Sequence, residues 1–428
     1  MLDDMPGTTA DLVLRADRVL PDADAELIVD GAVAVRDGMI VAIGRFAELT
    51  VTGPVVELGD TTLLPGLIDC HVHLAMSATA DATGSELPGS DAELACRMVN
   101  SARRLLDAGV TTARDLGCRG EIASTIRDAV REGLVPGPRL LVANAPITVT
   151  GGHAWRMGGE ADGALEVARE VRVRAKQRSD VVKIMATGGF MTAGSRPWEA
   201  RYTEAELRAC VEEAHRLGLP VTTHALGVEG IRRAVEAGVD MIEHCGWVTE
   251  EGSRLDPAIA AKIAAGGIVV CPTMNTACLT DPYFCPWDER DALIANLRGM
   301  LDAGVELVAG TDAGIGLVPF ENYADGLDVL ADAGLSPRAV LAAATYRAAN
   351  AIGLGLVTGR LAEGFAADAV AVDGDPTEDL SALHRPVHVI AAGRRYECTR
   401  PSTADRAEQR VAAQRIHDHL TVGSGRNR

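Results

Sequence analysis

Aromatic residues are scarce in this 428-residue chain: four Trp, five Tyr and five Phe make up 3% of it. Positive charge is also short, with 41 Lys and Arg against 60 Asp and Glu, a formal net charge of −19. Phosphate backbones are bound by basic patches, so this balance argues against nucleic acid as a partner. The acidic excess reads as a solvated surface that favours solubility. No apolar run approaches the roughly 18 residues a membrane span needs, which leaves no membrane partner. The opening Met1-Leu2-Asp3-Asp4-Met5-Pro6 has neither a basic start nor an apolar segment after it. That excludes a secretory signal there and makes a cytoplasmic protein the expectation. The nine cysteines are odd in number and form no CxxC pair, and Cys70, Cys245 and Cys271 lie inside apolar runs. They read as reduced thiols rather than a disulfide framework.

What the chain does have is strand texture at both ends and an alternating centre. Near the N-terminus, Gly31-Ala-Val-Ala-Val-Arg36 and Met39-Ile-Val-Ala-Ile-Gly44 flank Asp37-Gly38, a type I′ hairpin signal. Similar strands return at Asp368–Asp373 and Val387–Gly393. One small β-sandwich domain drawn from both termini, residues 1–62 and 355–400, is expected. Between them, strand-length apolar runs recur at 67–74, 110–116, 139–144, 181–186, 220–225, 239–245, 267–273 and 305–312. Helical segments separate them. Ser90-Asp-Ala-Glu93 and Thr203-Glu-Ala-Glu206 are capping boxes, and Gly109, Gly218, Gly238 and Gly304 stand where helices should end. Eight strands alternating with helices predict an α/β fold, a (β/α)8 TIM barrel over 63–354. A helix is expected over 336–353, a charged amphipathic helix over 404–420 and a disordered end over 421–428 within the tail 401–428.

Chemistry in such a barrel sits where the strands end. The first central run closes Asp69-Cys-His71-Val-His73, and on a strand the i, i+2 pair faces one way. The fourth run carries Lys183, the fifth ends at His224, the sixth at His244 and the eighth at Asp312. Four histidines, a lysine and an aspartate at the same ends of different strands point to a metal site. Lys183 is the odd member: an ammonium cannot ligate a cation and is costly to bury, so it is either neutral or converted to an anion. Asp69 shares a face with His71 and reads either as a partner behind the ligands or as a structural residue. Cys70 and Cys245 alternate away and read as packing. Arg114-Asp115, at the end of the second run, reads as a brace without an assigned step.

Pro65-Gly-Leu-Ile-Asp-Cys-His-Val-His73, Lys183, His224, His244, Gly310-Thr-Asp312 and Gly359-Arg-Leu-Ala-Glu-Gly together resemble the amidohydrolase superfamily. Val182-Lys-Ile-Met-Ala-Thr-Gly-Gly189 and Thr150-Gly-Gly-His153 resemble its imidazolonepropionase-like branch, which includes Xaa-Pro dipeptidases and ochratoxin-type amidases. The resemblance implies two divalent ions, most readily Zn2+, bridged by an N6-carboxylated Lys183. His71, His73 and Asp312 would hold one, and His224 and His244 the other. It further implies a bridging water that attacks an amide-type C–N bond, with Asp312 as the catalytic proton acceptor and donor. His153 is expected to contact substrate, with Tyr202 and Trp247 beside it. Relatives carry Tyr three residues after the sixth-run histidine, where this chain has Trp247; that favours an apolar amide or carbamate over a prolyl dipeptide. A homo-oligomer acting on a small molecule is the corresponding expectation.

Ten of the aromatic residues, Trp155, Phe190, Trp198, Tyr202, Trp247, Tyr283, Phe284, Trp287, Phe320 and Tyr323, fall in segments after the central runs. They either line a pocket for an apolar or aromatic group or anchor long loops. Two other functions fit the chain less well. A mononuclear deaminase or cyclic-amide hydrolase would need an acid soon after His224, and Glu229 is distant. A scaffold without activity would have lost ligands, and all are present.

Overall fold

A computed structural model describes residues 8–78, 87, 89–280, 283, 285, 288–316 and 318–398. The expected helix at 404–420 and the tail after it, with Phe284 and Trp287, lie outside the described residues. Near the N-terminus come strands β1 (Leu12–Val19), β2 (Ile28–Arg36), β3 (Met39–Arg45) and β4 (Thr61–Pro65). The centre holds β5 (Leu67–Val72), β6 (Val110–Asp115), β7 (Arg139–Val142), β8 (Val182–Met185), β9 (Val221–Gly227), β10 (Met241–Thr249) and β11 (Val269–Cys271). Last are β12 (Ala369–Asp373), β13 (Pro386–Ala391) and β14 (Arg394–Glu397).

The outer strands join in the order β14-β13-β12-β4-β1-β2-β3, so both chain ends build one sheet. Asp37 and Gly38 both take positive φ, 52° and 75°, as the expected hairpin turn between β2 and β3 requires. In hydrogen bonding these strands form one continuous sheet. The reason is the antiparallel pairing of β12 with β4, which splices the C-terminal hairpin onto the N-terminal strands. Pro65-Gly66 then carries the chain straight from this sheet into the centre. A Cβ at Gly66 would lie 2.0 Å from Thr111 Oγ1, so only glycine allows that passage.

The central strands are parallel, in two groups: β7-β6-β5, and β8-β9-β10-β11. Lone parallel bridges continue the pairing, Ile147 with Ile184, Val270 with Leu307 and Val72 with Ala313. The eighth expected run, 305–312, thus makes single bridges rather than a regular strand. Its polypeptide is still tied to β5, through Cys70 N to Ala309 O at 3.1 Å and Asp312 N to His71 O at 2.7 Å.

Helices follow the strands. Helix α1 (Asp91–Asp107) starts at the Ser90 capping box and buries Leu94, Met98, Ala102, Leu105 and Leu106, one stripe of a 3.6-residue period. Each such leucine contributes on the order of 1.5–3 kcal/mol by leaving water. The Thr203 capping box likewise forms at the start of a helix, Glu204–Arg216. Gly109, Gly218, Gly238 and Gly304 take φ between 74° and 82°, the left-handed stop foreseen for them. The helix expected over 336–353 is instead two, Pro337–Ala344 and Tyr346–Ala351. They break at Thr345, whose hydroxyl bonds the Leu341 carbonyl and so competes with the helical backbone bond. The architecture is a mixed α/β fold. Among the described residues no helix is long and apolar enough to cross a membrane.

Candidate metal centre

At one end of the central strands lies a cavity of about 220 Å³. His71, His73, His153, Lys183, His224, His244 and Asp312 all line it. The reason is register. His71 and His73 emerge two residues apart at the end of β5, and Met185 pairs with His224 and Ala225 with His244 across β8, β9 and β10. Asp312 arrives beside β5 on the backbone bonds described above. A Cβ at Gly310 would lie 2.4 Å from Cys271 Sγ, so that approach depends on glycine.

Three donor atoms meet closely. His73 Nε2 is 3.1 Å from Asp312 Oδ1, His71 Nε2 is 3.3 Å from the same oxygen, and the two Nε2 atoms are 3.3 Å apart. Tetrahedral ligands at zinc's bond length of about 2.0–2.1 Å sit roughly 3.3 Å from one another. His71, His244 and Asp312 also offer atoms within 4.8 Å of each other. The rings of His224 and His244 lie 4.6 Å apart, centroid to centroid.

Three of the histidines have their other nitrogen engaged, while His73 Nδ1 has no hydrogen-bond partner among the described residues. His71 Nδ1 donates to Glu243 Oε2 at 2.8 Å, His224 Nε2 to the Gly188 carbonyl at 2.9 Å and His244 Nδ1 to Thr273 Oγ1 at 2.8 Å. Thr273 spends its own proton on the Pro272 carbonyl, at 2.7 Å, and is therefore an acceptor there. Such bonds fix the tautomer and leave one lone pair on each ring for a cation. Burial holds the pKa values of His71, His224 and His244 well below the usual imidazole range, so all three are neutral. His73 differs: against the effect of burial, the hydrogen bond and charge of Asp312 raise it. Asp312, in spite of burial, is held far below the carboxylate range by His71, His73 and Lys183.

Lys183 is buried at the cavity floor, and among the described residues its Nζ has no hydrogen-bond partner. Burial lowers its pKa to about 8, although Glu243 and Asp312 pull the other way. An amine this close to neutrality is a nucleophile, the condition under which CO₂ adds to a lysine.

Glu243 was not singled out by the sequence reading. It is completely buried, with Oε2 on His71 Nδ1 and Oε1 accepting from Arg114 at 2.8 Å and from Thr222 Oγ1. A glutamate inside an apolar strand was the available signal. Asp69, which the sequence placed on a face with His71, takes the backbone N–H groups of His71 at 3.1 Å and Thr311 at 3.0 Å, and the Thr311 hydroxyl at 2.6 Å. It ties the two ligand-bearing segments together. Asp115 accepts from Leu74 N and Gly117 N, and Arg114 also donates to the Cys70 carbonyl. Both flank the His71–His73 turn.

Backbone strain collects here. His244, Cys245, Trp247, Thr273 and Asp312 all have positive φ, between 48° and 67°. Such conformations cost about 1–3 kcal/mol each and mark functional sites when surrounding structure enforces them.

Two expected substrate contacts are corrected. Trp247 is fully buried in the hydrophobic core and does not line the cavity. On β10, His244, Gly246 and Val248 line the cavity and Trp247 does not. Tyr202 also misses the cavity: its ring is buried and its hydroxyl donates to the Ala161 carbonyl at 2.7 Å. His153 does face the cavity, with Nδ1 3.2 Å from Thr192 Oγ1, and burial lowers its pKa to about 4. Of the clustered aromatics that are described, only Phe190 and Tyr283 line the cavity. Trp198 bonds Glu250 at 3.1 Å and Tyr323 bonds the Ile68 carbonyl at 2.7 Å, so these two are loop anchors.

Residues 62–395 match the model of the Amidohydrolase family. The chain belongs to the amidohydrolase family. Residues 31–50 also match the bacterial imidazolonepropionase-like composite domain. Ochratoxinase of Aspergillus niger is 28% identical, over 90% of this chain and 86% of its own length. Imidazolonepropionase of Symbiobacterium thermophilum is 28% identical, over 86% and 89%. Among solved structures, a Xaa-Pro dipeptidase with methionine bound in its active site superposes with a TM-score of 0.79. It is 25% identical and matched over 90% of this chain and 99% of its own. This amidohydrolase-family enzyme therefore shares its fold, over most of its length, with a solved Xaa-Pro dipeptidase.

Proposed function

We propose that the chain is a binuclear metal-dependent hydrolase of amide-type C–N bonds, built on a (β/α)8 barrel. The lone bridges at Ile147, Val270 and Val72 support the barrel, because they link the segment after β7 to β8, β11 to the 305–312 segment and that segment to β5. The observation that carries the function is the meeting of His71 Nε2, His73 Nε2 and Asp312 Oδ1 at 3.1–3.3 Å beside the unpartnered Lys183 Nζ.

The donor set fits two ions, with His71, His73 and Asp312 for one and His224 and His244 for the other. A carboxylated Lys183 would lie between them. Imidazole and carboxylate donors suit zinc, and bound divalent ions supply an acidified water and a polarised scissile carbonyl. The chain's own groups do the rest. Asp312, kept ionised by its imidazole neighbours, takes the proton of the attacking water at a carboxylate oxygen and returns it to the leaving nitrogen. His153 offers Nε2 to the substrate, its Nδ1 being turned to Thr192. The strand ends hold these groups in place before substrate arrives, so little reorganisation is needed. Water adds OH to the carbonyl carbon and H to nitrogen, giving a carboxylic or carbamic acid and an amine.

A single-metal deaminase is disfavoured by Glu229. Its carboxylate is engaged by Arg232 at 2.8 Å and Arg233 at 2.7 Å along its own helix and does not line the cavity. The test is a panel of N-acyl amides, dipeptides and aryl carbamates with protein stripped by chelator and then reloaded with zinc. Hydrolysis lost on stripping and restored on reloading supports the reading; full activity of the stripped protein overturns it.

A further inference from the structure

The cavity wall is sulfur-rich and short of positive charge. Met76, Met157, Met185, Met191 and Met274 line it, five of the chain's eleven methionines. Methionine is flexible and polarisable and accommodates irregular apolar groups. Among the described lining residues there is no arginine, and Lys183 is the single lysine. Lys183 is assigned above to the metal centre. The stretches 79–86 and 281–287, adjoining lining residues in sequence, contain no lysine or arginine either. Among the described lining residues, the charged group away from the histidine cluster is Asp288, a carboxylate.

The polar lining groups are largely committed to the protein. Both amide hydrogens of Asn275 are spent, on the Thr273 carbonyl at 3.0 Å and the Thr311 carbonyl at 2.8 Å. Thr273 donates its hydroxyl proton to the Pro272 carbonyl at 2.7 Å. A substrate carboxylate held in the part of this space away from the metal centre would lose its water without gaining a cationic side chain, which is strongly unfavourable.

We infer that the substrate is an uncharged, apolar amide or carbamate, and that an N-acyl amino acid or dipeptide with a free carboxylate is discriminated against. This rests on the hydrolase reading above and adds the charge and polarity of the molecule that the site accepts.

The test uses the full-length, zinc-loaded chain and a pair differing only in the carboxylate: an N-acyl phenethylamine and the same N-acyl phenylalanine. The neutral amide should have the higher kcat/KM by about 100-fold, the scale on which an unmatched buried polar group is rejected. Equal or better turnover of the acid overturns the inference while leaving the hydrolase intact. If neither is cleaved, the shift in melting temperature ranks them as ligands. Stabilisation by the amide alone supports charge selection even as the hydrolase reading falls, and equal or greater stabilisation by the acid refutes charge selection.

Discussion

The Glu243 carboxylate is shared between His71 Nδ1 and the Arg114 guanidinium, each at 2.8 Å. One oxygen aims an imidazole lone pair into the cavity, while the other neutralises a buried cation that itself clasps the Cys70 carbonyl. Orientation of the histidine and charge balance in the core thus depend on one side chain.

Glu243→Gln keeps the volume and removes the charge. Zinc affinity should fall about 10–100-fold, the usual effect of losing a carboxylate behind a ligating histidine. Metal content after dialysis against a weak chelator reads this directly. The substitution also leaves Arg114 buried without its anion, so stability should drop by about 3–5 kcal/mol. Unchanged metal retention in a folded variant would remove Glu243 from the site's support.

Lys183→Ala should abolish hydrolysis and lower the metal bound per chain, with the circular dichroism spectrum unchanged. Intact-mass measurement of the native protein under bicarbonate should show the increment of one carboxylate, absent from the variant. A variant that keeps full metal content and activity would deny Lys183 a bridging role.

Asp312→Asn retains size but cannot hold a proton as the carboxylate does. The kcat should fall by about 10²–10⁴-fold, the range for general acid–base groups. The loss should appear in kcat more than in KM when the comparison is made at saturating zinc.

Trp247→Ala should cost about 3–5 kcal/mol in denaturant unfolding, because a large buried side chain leaves a cavity in the core. Trp247→Phe should cost less and leave the ranking of substrates unaltered. A changed ranking with Phe would mean the indole reaches the substrate after all.

Much of the centre is legible in the sequence. His71 and His73 lie two apart on a strand, and period-two geometry alone puts both rings on one side, where they meet Asp312. The Ser90 and Thr203 capping boxes were readable because their bonds span three residues. Glu243 was not legible: its partners Arg114 and His71 are 129 and 172 residues away, and nothing local distinguishes a paired buried glutamate from an unpaired one.

The sequence by itself determined which side chains end the central strands, which helices are capped and which ions those donor types can hold. Those properties depend on residue chemistry and on spacings of two to four positions. Tertiary structure alone decided that Glu243 carries His71, that Trp247 and Tyr202 turn into the core, and that five methionines from separate segments line one cavity with no arginine among its described residues. Each of these depends on which distant surfaces meet, and that is set by how strands register and helices pack.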